Sequence, residues 1–155
     1  MPGRLERVDD GQSYEVFVDY AHTDDALRST LEVLREITPG KVHLVFGCGG
    51  DRDAGKRTKM AEVSETYAAF SFVTLDNPRT ESQEKINADI IQGFSGSNYE
   101  IISDRKTAVE TALSRMDDRC ILLVLGKGRE NYQEIGTEKQ PHNDVEIIRE
   151  FQHAD

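Results

Sequence analysis

Residues 120–125 read Cys120-Ile121-Leu122-Leu123-Val124-Leu125, a run without one polar side chain. Side chains on a strand alternate between two faces, so a strand apolar at every position has to be covered on both, which puts this segment at the centre of a sheet between two helical layers. Apolar runs interrupted by polar residues within 15–20, 42–46, 70–75 and 99–102 read as further strands. Between them, apolar residues recur at helical spacing: Leu27, Leu31 and Leu34; Met60, Val63 and Tyr67; Ile86, Ile90 and Phe94; Ala108, Ala112, Leu113 and Met116; and finally Val145, Ile148 and Phe151. Strand and helix in regular alternation predict an α/β fold, a doubly wound and mostly parallel sheet with helices on both faces.

Local signals place the boundaries. Thr23 is a fair N-cap, followed by Asp24 and Asp25 where a helix dipole favours anions, and Pro39-Gly40 stops that helix. The next helix is expected over about residues 56–69. Thr80 with Gln83 suggests a capping box, Asp104 an N-cap, and Asn143 with Glu146 a cap and its N3 partner. Residues 131–135 add a further strand. Residues 1–12 carry Pro2, Gly3, Gly11 and mixed charge and read as an interdomain linker, with residues 13–155 as one domain. At 155 residues the chain is long enough for a single ordinary core.

Four strand ends run into polar or glycine-rich clusters: residues 19–23, 47–53, 76–79 and 126–130. In a parallel α/β sheet the carboxyl ends of the strands form the ligand crevice, so these clusters converge where binding is expected. The most informative is Asp76-Asn77-Pro78-Arg79. Pro78 fixes its own φ and biases Asn77 toward an extended conformation, making a stiff turn. Arg79 offers a fork for a carboxylate, Asn77 a donor and an acceptor, and Asp76 a partner for an ammonium or a brace for the arginine, a set that suits an amino acid. The same four residues also read as a turn capping the next helix. Glycines at 47, 49 and 50 indicate close backbone approach or positive φ. Their spacing is neither that of a dinucleotide-binding fingerprint nor that of a P-loop, which argues against a dinucleotide-dependent oxidoreductase.

There are 29 acidic against 19 basic residues, a net charge of −10, so nucleic acid and anionic membrane surfaces are poor partners. An anionic ligand has to be held by local groups against the overall field. No apolar stretch reaches the roughly 20 residues of a membrane span. The first 14 residues are too charged for a signal peptide, and Cys48 and Cys120 suggest free thiols in a reducing, cytoplasmic setting.

Taken together, residues 2–6, Asp19-Tyr20-Ala21-His22-Thr23, residues 47–53, Gly55-Lys56-Arg57, residues 76–81 and Gly126-Lys127-Gly128 resemble the C-terminal domain of the Mur ligases, over almost the whole chain. They are most similar to the branch that adds meso-diaminopimelate to UDP-N-acetylmuramoyl-L-alanyl-D-glutamate. The resemblance implies a Rossmann-like, mostly parallel sheet of about six strands in the amino-acid-accepting domain of an ATP-dependent amide ligase of peptidoglycan synthesis. It implies that Arg52, Asn77 and Arg79 hold carboxylates of diaminopimelate, with Asp76 beside them, and that Gly126 and Glu130 take the other end. Arg4, Asp19, Tyr20 and His22 then lie near the nucleotide. No catalytic group and no metal ligand is expected here: ATP and Mg2+, like the UDP-MurNAc-dipeptide, would be held mainly by other domains. An acyl phosphate formed on the D-glutamyl γ-carboxylate would be attacked by the diaminopimelate amine. The chain accordingly reads as an excised domain, inactive alone.

Two positions depart from the family pattern. Arg129 stands where histidine is usual, adding a cation beside Glu130, and Asp24 replaces a proline, a mild change in a helix's first turn. Two alternatives fit the same residues: a sister ligase, such as folylpolyglutamate synthase or the one adding D-Ala-D-Ala, and a stand-alone module binding an amino acid or nucleotide.

Overall fold

A computed structural model describes residues 5–8, 13–37, 40–50, 55–74, 76–117, 119–127, 130 and 132–153. Six strands form one sheet: β1 (Glu6–Arg7), β2 (Glu15–Asp19), β3 (Lys41–Phe46), β4 (Phe70–Val73), β5 (Tyr99–Ile101) and β6 (Cys120–Leu125), in the spatial order β1-β2-β6-β3-β4-β5. All neighbours pair in parallel except β1, which runs antiparallel to β2. The apolar run is thus interior, with Val124 opposite Val18 on one side and Val45 on the other.

The helices are α1 (Asp24–Ile37), α2 (Gly55–Tyr67), α3 (Gln83–Ile91), α4 (Arg105–Ser114) and α5 (Asp144–His153). On one face α1 packs on α2 and α2 on α3, while α4 packs on α5 on the other. Alternation along β6 serves both layers. Ile121, Leu123 and Leu125 join Leu27, Leu31, Leu34, Met60, Ile86 and Ile90, whereas Leu122 and Val124 join Ala108, Val109, Ala112, Val145 and Ile148. All three leucines of the α1 stripe are fully buried, as their spacing predicts.

The caps follow the sequence with one correction. Thr23 Oγ1 accepts from Ala26 N at 3.1 Å, Asp104 from Thr107 N at 3.0 Å, and Asn143 from Glu146 N at 3.1 Å. At α3 the cap is Ser82, whose Oγ accepts from Lys85 N at 3.2 Å, and not Thr80. Gln83 therefore sits at the first helical position, too early to reach back as a capping-box partner, and its amide donates to Asn87 Oδ1 instead. In the stretch expected to be a linker, Glu6–Arg7 pairs with Phe17 and Val18.

The strand expected over residues 131–135 exists as β7 (Tyr132–Ile135), but it lies outside the main sheet, in an antiparallel hairpin with β8 (Glu138–Pro141). Chain leaving β2 and β3 turns to the α1–α2 face; chain leaving β6 forms this hairpin and then α5 on the opposite face. Connections diverge at the carboxyl end of β6, which is where an open α/β sheet forms its crevice.

Candidate functional site

The turn after β4 is locked against the loop after β3. A Cβ on Gly47 would sit 2.1 Å from Thr74 O, and one on Gly50 would sit 1.7 Å from Pro78 O. Gly50 N donates to Asn77 O at 2.7 Å. The glycines after β3 thus serve close backbone approach to the Asp76–Arg79 turn, a contact open only to residues without a side chain.

Arg79 sits on that turn with φ +53°, a left-handed conformation rare outside glycine. The β7–β8 hairpin holds it there: Arg79 N donates to Glu134 O at 3.0 Å, and Gly136 N to Arg79 O at 2.7 Å. The side chain is held as firmly. Nε donates to Glu134 Oε2 at 2.8 Å, and Nη1 to Gly50 O at 3.0 Å and Asn77 O at 3.3 Å. Among the described residues Nη2 has no partner, and the side chain, 21% exposed, lines a cavity of about 380 Å³. Asn77 lines it too. Its Oδ1 accepts from Lys127 Nζ and from Glu134 N at 2.9 Å, which fixes the amide orientation and leaves Nδ2 as the donor for anything outside.

Tyr20 and His22, at the end of β2, form another wall, their rings edge to face at 4.7 Å. His22 Nε2 lies 3.3 Å from Asp76 Oδ2. Burial works against the imidazolium, but the hydrogen bond and charge of Asp76, with Glu130 and the Tyr20 carbonyl, raise the His22 pKa above its ordinary value. Burial likewise pushes the Asp76 carboxyl up, yet His22, Arg105 and Lys127 more than offset it and hold the group ionised below the usual range. Cys48, also on the wall, is pushed up to about 12 by burial and stays a neutral thiol.

Behind this wall lies a buried ionic cluster. Lys127, fully buried, is 3.3 Å from Asp76 Oδ1 and 3.9 Å from Glu130 Oε1. Desolvation, and to a lesser degree Arg105, lower its pKa despite these carboxylates. Arg105 pairs through two nitrogens with Asp144, both side chains at 0% exposure, and donates to Leu125 O at 3.0 Å. The α4–α5 layer is thereby tied to the strand end that carries Gly126.

Of the residues singled out from sequence, Asp76, Asn77, Arg79, Tyr20 and His22 come together on the cavity. Gly126 lies behind it, at φ +110° and within contact of Asp76, as does Glu130, whose Oε1 is buried without a hydrogen bond. Asp19 turns inward: its carboxylate accepts from Leu5 N at 2.7 Å and Ala21 N at 3.2 Å. Arg4, Arg52 and Arg129 lie outside the described residues. Among the described residues no group of His, Cys, Asp or Glu is arranged to hold a metal ion, and no helix is long and apolar enough to cross a membrane.

Three residues at the site were not singled out from sequence. Arg57, quoted only as part of a motif, clamps Glu81 and Asp89 and donates to Gly49 O, bracing the glycine loop. Lys127 carried a signal in its place between two glycines after a strand. Glu134 carried none, because only the hairpin brings it to Arg79.

Comparison with known proteins gives the family and the fold. Residues 3–128 match the family described as Mur ligase, glutamate ligase domain. The chain is 45% identical over 150 residues to the UDP-N-acetylmuramoyl-L-alanyl-D-glutamate--2,6-diaminopimelate ligase of Bacillus cereus, covering 97% of this chain and 30% of that protein. A solved structure of a ligase of the same name superposes with TM-score 0.92 at 39% identity, covering 100% of this chain and 33% of that one. A bifunctional folylpolyglutamate synthase/dihydrofolate synthase from Yersinia pestis superposes at TM-score 0.67 with 20% identity over 98% of this chain and 32% of its own, a likeness of fold alone. The chain spans about a third of the length of these relatives.

Proposed function

Because the chain belongs to the Mur ligase family, and its strand ends gather an arginine, an asparagine and an aspartate around one cavity, we propose that it is the amino-acid-accepting domain of an ATP-dependent ligase. The ligase joins meso-diaminopimelate to UDP-N-acetylmuramoyl-L-alanyl-D-glutamate in peptidoglycan synthesis, in the cytoplasm. ATP, with Mg2+ held mainly by other parts of the ligase, supplies activation of the D-glutamyl carboxylate. This domain brings and orients the amine.

The observation that carries the reading is Arg79. Its guanidinium stands at the cavity with Nη2 open while Nε and Nη1 are engaged, so it is preorganised for one carboxylate in one direction. Asn77 Nδ2 offers a further donor, and ionised Asp76 favours an ammonium close by. We assign Arg79 to the second carboxylate, the one L-lysine lacks, Arg52 as a further carboxylate partner from its motif alone, and Gly126 and Glu130 to the far end of the ligand. The rings of Tyr20 and His22 suit a nucleotide edge, with Arg4 near its phosphates and Asp19 supporting that wall from behind.

L-lysine keeps the two amines at the same spacing but lacks the second carboxylate. A hydrogen bond to a charged group contributes about 1.5–3 kcal/mol, so its loss corresponds to roughly 10- to 100-fold in discrimination. Steady-state turnover by the ligase carrying this domain, with meso-diaminopimelate and with L-lysine, tests the reading. We expect kcat/KM to favour meso-diaminopimelate by at least that factor; equal use of L-lysine would overturn it.

A further inference from the structure

We infer that Glu134, on the β7–β8 hairpin, is a positioning residue for substrate selection: it acts through Arg79, setting which edge of the guanidinium the ligand meets. This rests on the reading of Arg79 given above. Three contacts converge on one residue. The Glu134 carboxylate accepts from Arg79 Nε at 2.8 Å, its carbonyl accepts from Arg79 N at 3.0 Å, and its own N–H donates to Asn77 Oδ1 at 2.9 Å. Glu134 therefore fixes both carboxylate-facing side chains of the turn while standing outside the cavity wall itself.

The guanidinium has an edge through Nε and Nη2 and an end through Nη1 and Nη2. With Nε given to Glu134 and Nη1 bonded to Gly50 O and Asn77 O, an incoming carboxylate is steered to Nη2. Removing the Glu134 side chain frees Nε, and with it a choice of rotamers that Arg79 does not have now. The negative charge has an opposite effect, since it partly cancels the attraction of Arg79 for an anion. Orientation and charge can be separated, because glutamine keeps an acceptor for Nε–H and drops the charge.

The experiment compares wild type, E134Q, E134A and R79A. In this chain, nitrogen-15 NMR follows the Arg79 Nε–H. It is expected as a slowly exchanging signal in wild type and E134Q, and lost in E134A while the backbone spectrum keeps the dispersion of a folded protein. In the ligase, E134A should raise the KM for meso-diaminopimelate on the order of 10- to 100-fold, with kcat and the use of L-lysine unchanged. E134Q should restore selectivity. If E134A selects as wild type does while R79A does not, this inference fails and the functional reading stands. If R79A also selects as wild type does, the functional reading fails and takes this inference with it. Loss of selectivity in E134Q equal to that in E134A would show that charge and not orientation matters, and would overturn the positioning role.

Discussion

Arg79 joins two features that local sequence rules keep apart, a left-handed backbone and a charged, oriented side chain. Such a conformation costs on the order of 1–3 kcal/mol and persists only where surroundings over-determine it; here the hairpin and Gly50 do so. Pro78 announces a rigid turn, but it restrains itself and the residue before it, so nothing in the sequence signals the φ of the residue after. The buried pair Arg105–Asp144 supports the site from the other face. Burial alone would raise the Asp144 carboxyl, but Arg105 and His142 hold it well below the ordinary carboxylate value. A carboxylate lowered on folding contributes stability that is present above its unfolded pKa of about 3.9 and is lost as pH falls through the folded value. Asp144→Ala, which leaves a buried guanidinium unpaired, should therefore cost about 3–5 kcal/mol at neutral pH. Urea titrations should show that deficit shrinking below about pH 4; a deficit independent of pH would remove the ionised pair from the account.

At the level of elements, the sheet was legible because its signals are local and agree with one another. An apolar run without polar interruption marked β6 as interior, a leucine stripe marked α1, and Asp104 and Asn143 marked their helices' first turns. The hairpin was half legible. β7 keeps some alternation, but β8 reads Glu138-Lys139-Gln140-Pro141, exposed at every position, with no apolar period to find. Its role is to hold Arg79, and that role depends on a contact between residues 79 and 134, beyond reach of any window along the chain. The glycine loop was read as either a close approach or a positive φ; the structure shows the close approach at Gly47 and Gly50, and what they approach was not legible. Gly50→Ala tests that contact. A methyl group 1.7 Å from Pro78 O meets backbone and not a flexible side chain, so one loop has to shift. Overpacking of this kind costs about 1–3 kcal/mol. Denaturant titration should register it together with weaker meso-diaminopimelate binding, whereas unchanged stability would mean that the two loops are not locked.

Over the whole molecule, two helical layers of opposite connectivity leave one end of the sheet open, and the residues after β2, β3 and β4 line one cavity there. The protein carries a net charge of −10, so a dicarboxylate has to be drawn in by a few fixed cations against the general field. Among the described residues Lys56, Arg57 and Arg79 line the cavity; Arg57 is engaged by Glu81 and Asp89, and Arg79 is held in one orientation through Nε and Nη1, while the cluster of Lys127, Asp76 and Arg105 lies buried beside it. Chemical-shift titration of the 155-residue chain with meso-diaminopimelate and, separately, L-lysine asks the question directly, because NMR reads even millimolar binding. Saturable shifts at Arg79 and Asn77 with meso-diaminopimelate, and at least tenfold weaker ones with L-lysine, are the predicted result. Equal affinity for the two, or shifts that leave the Arg79 side chain untouched, would contradict it.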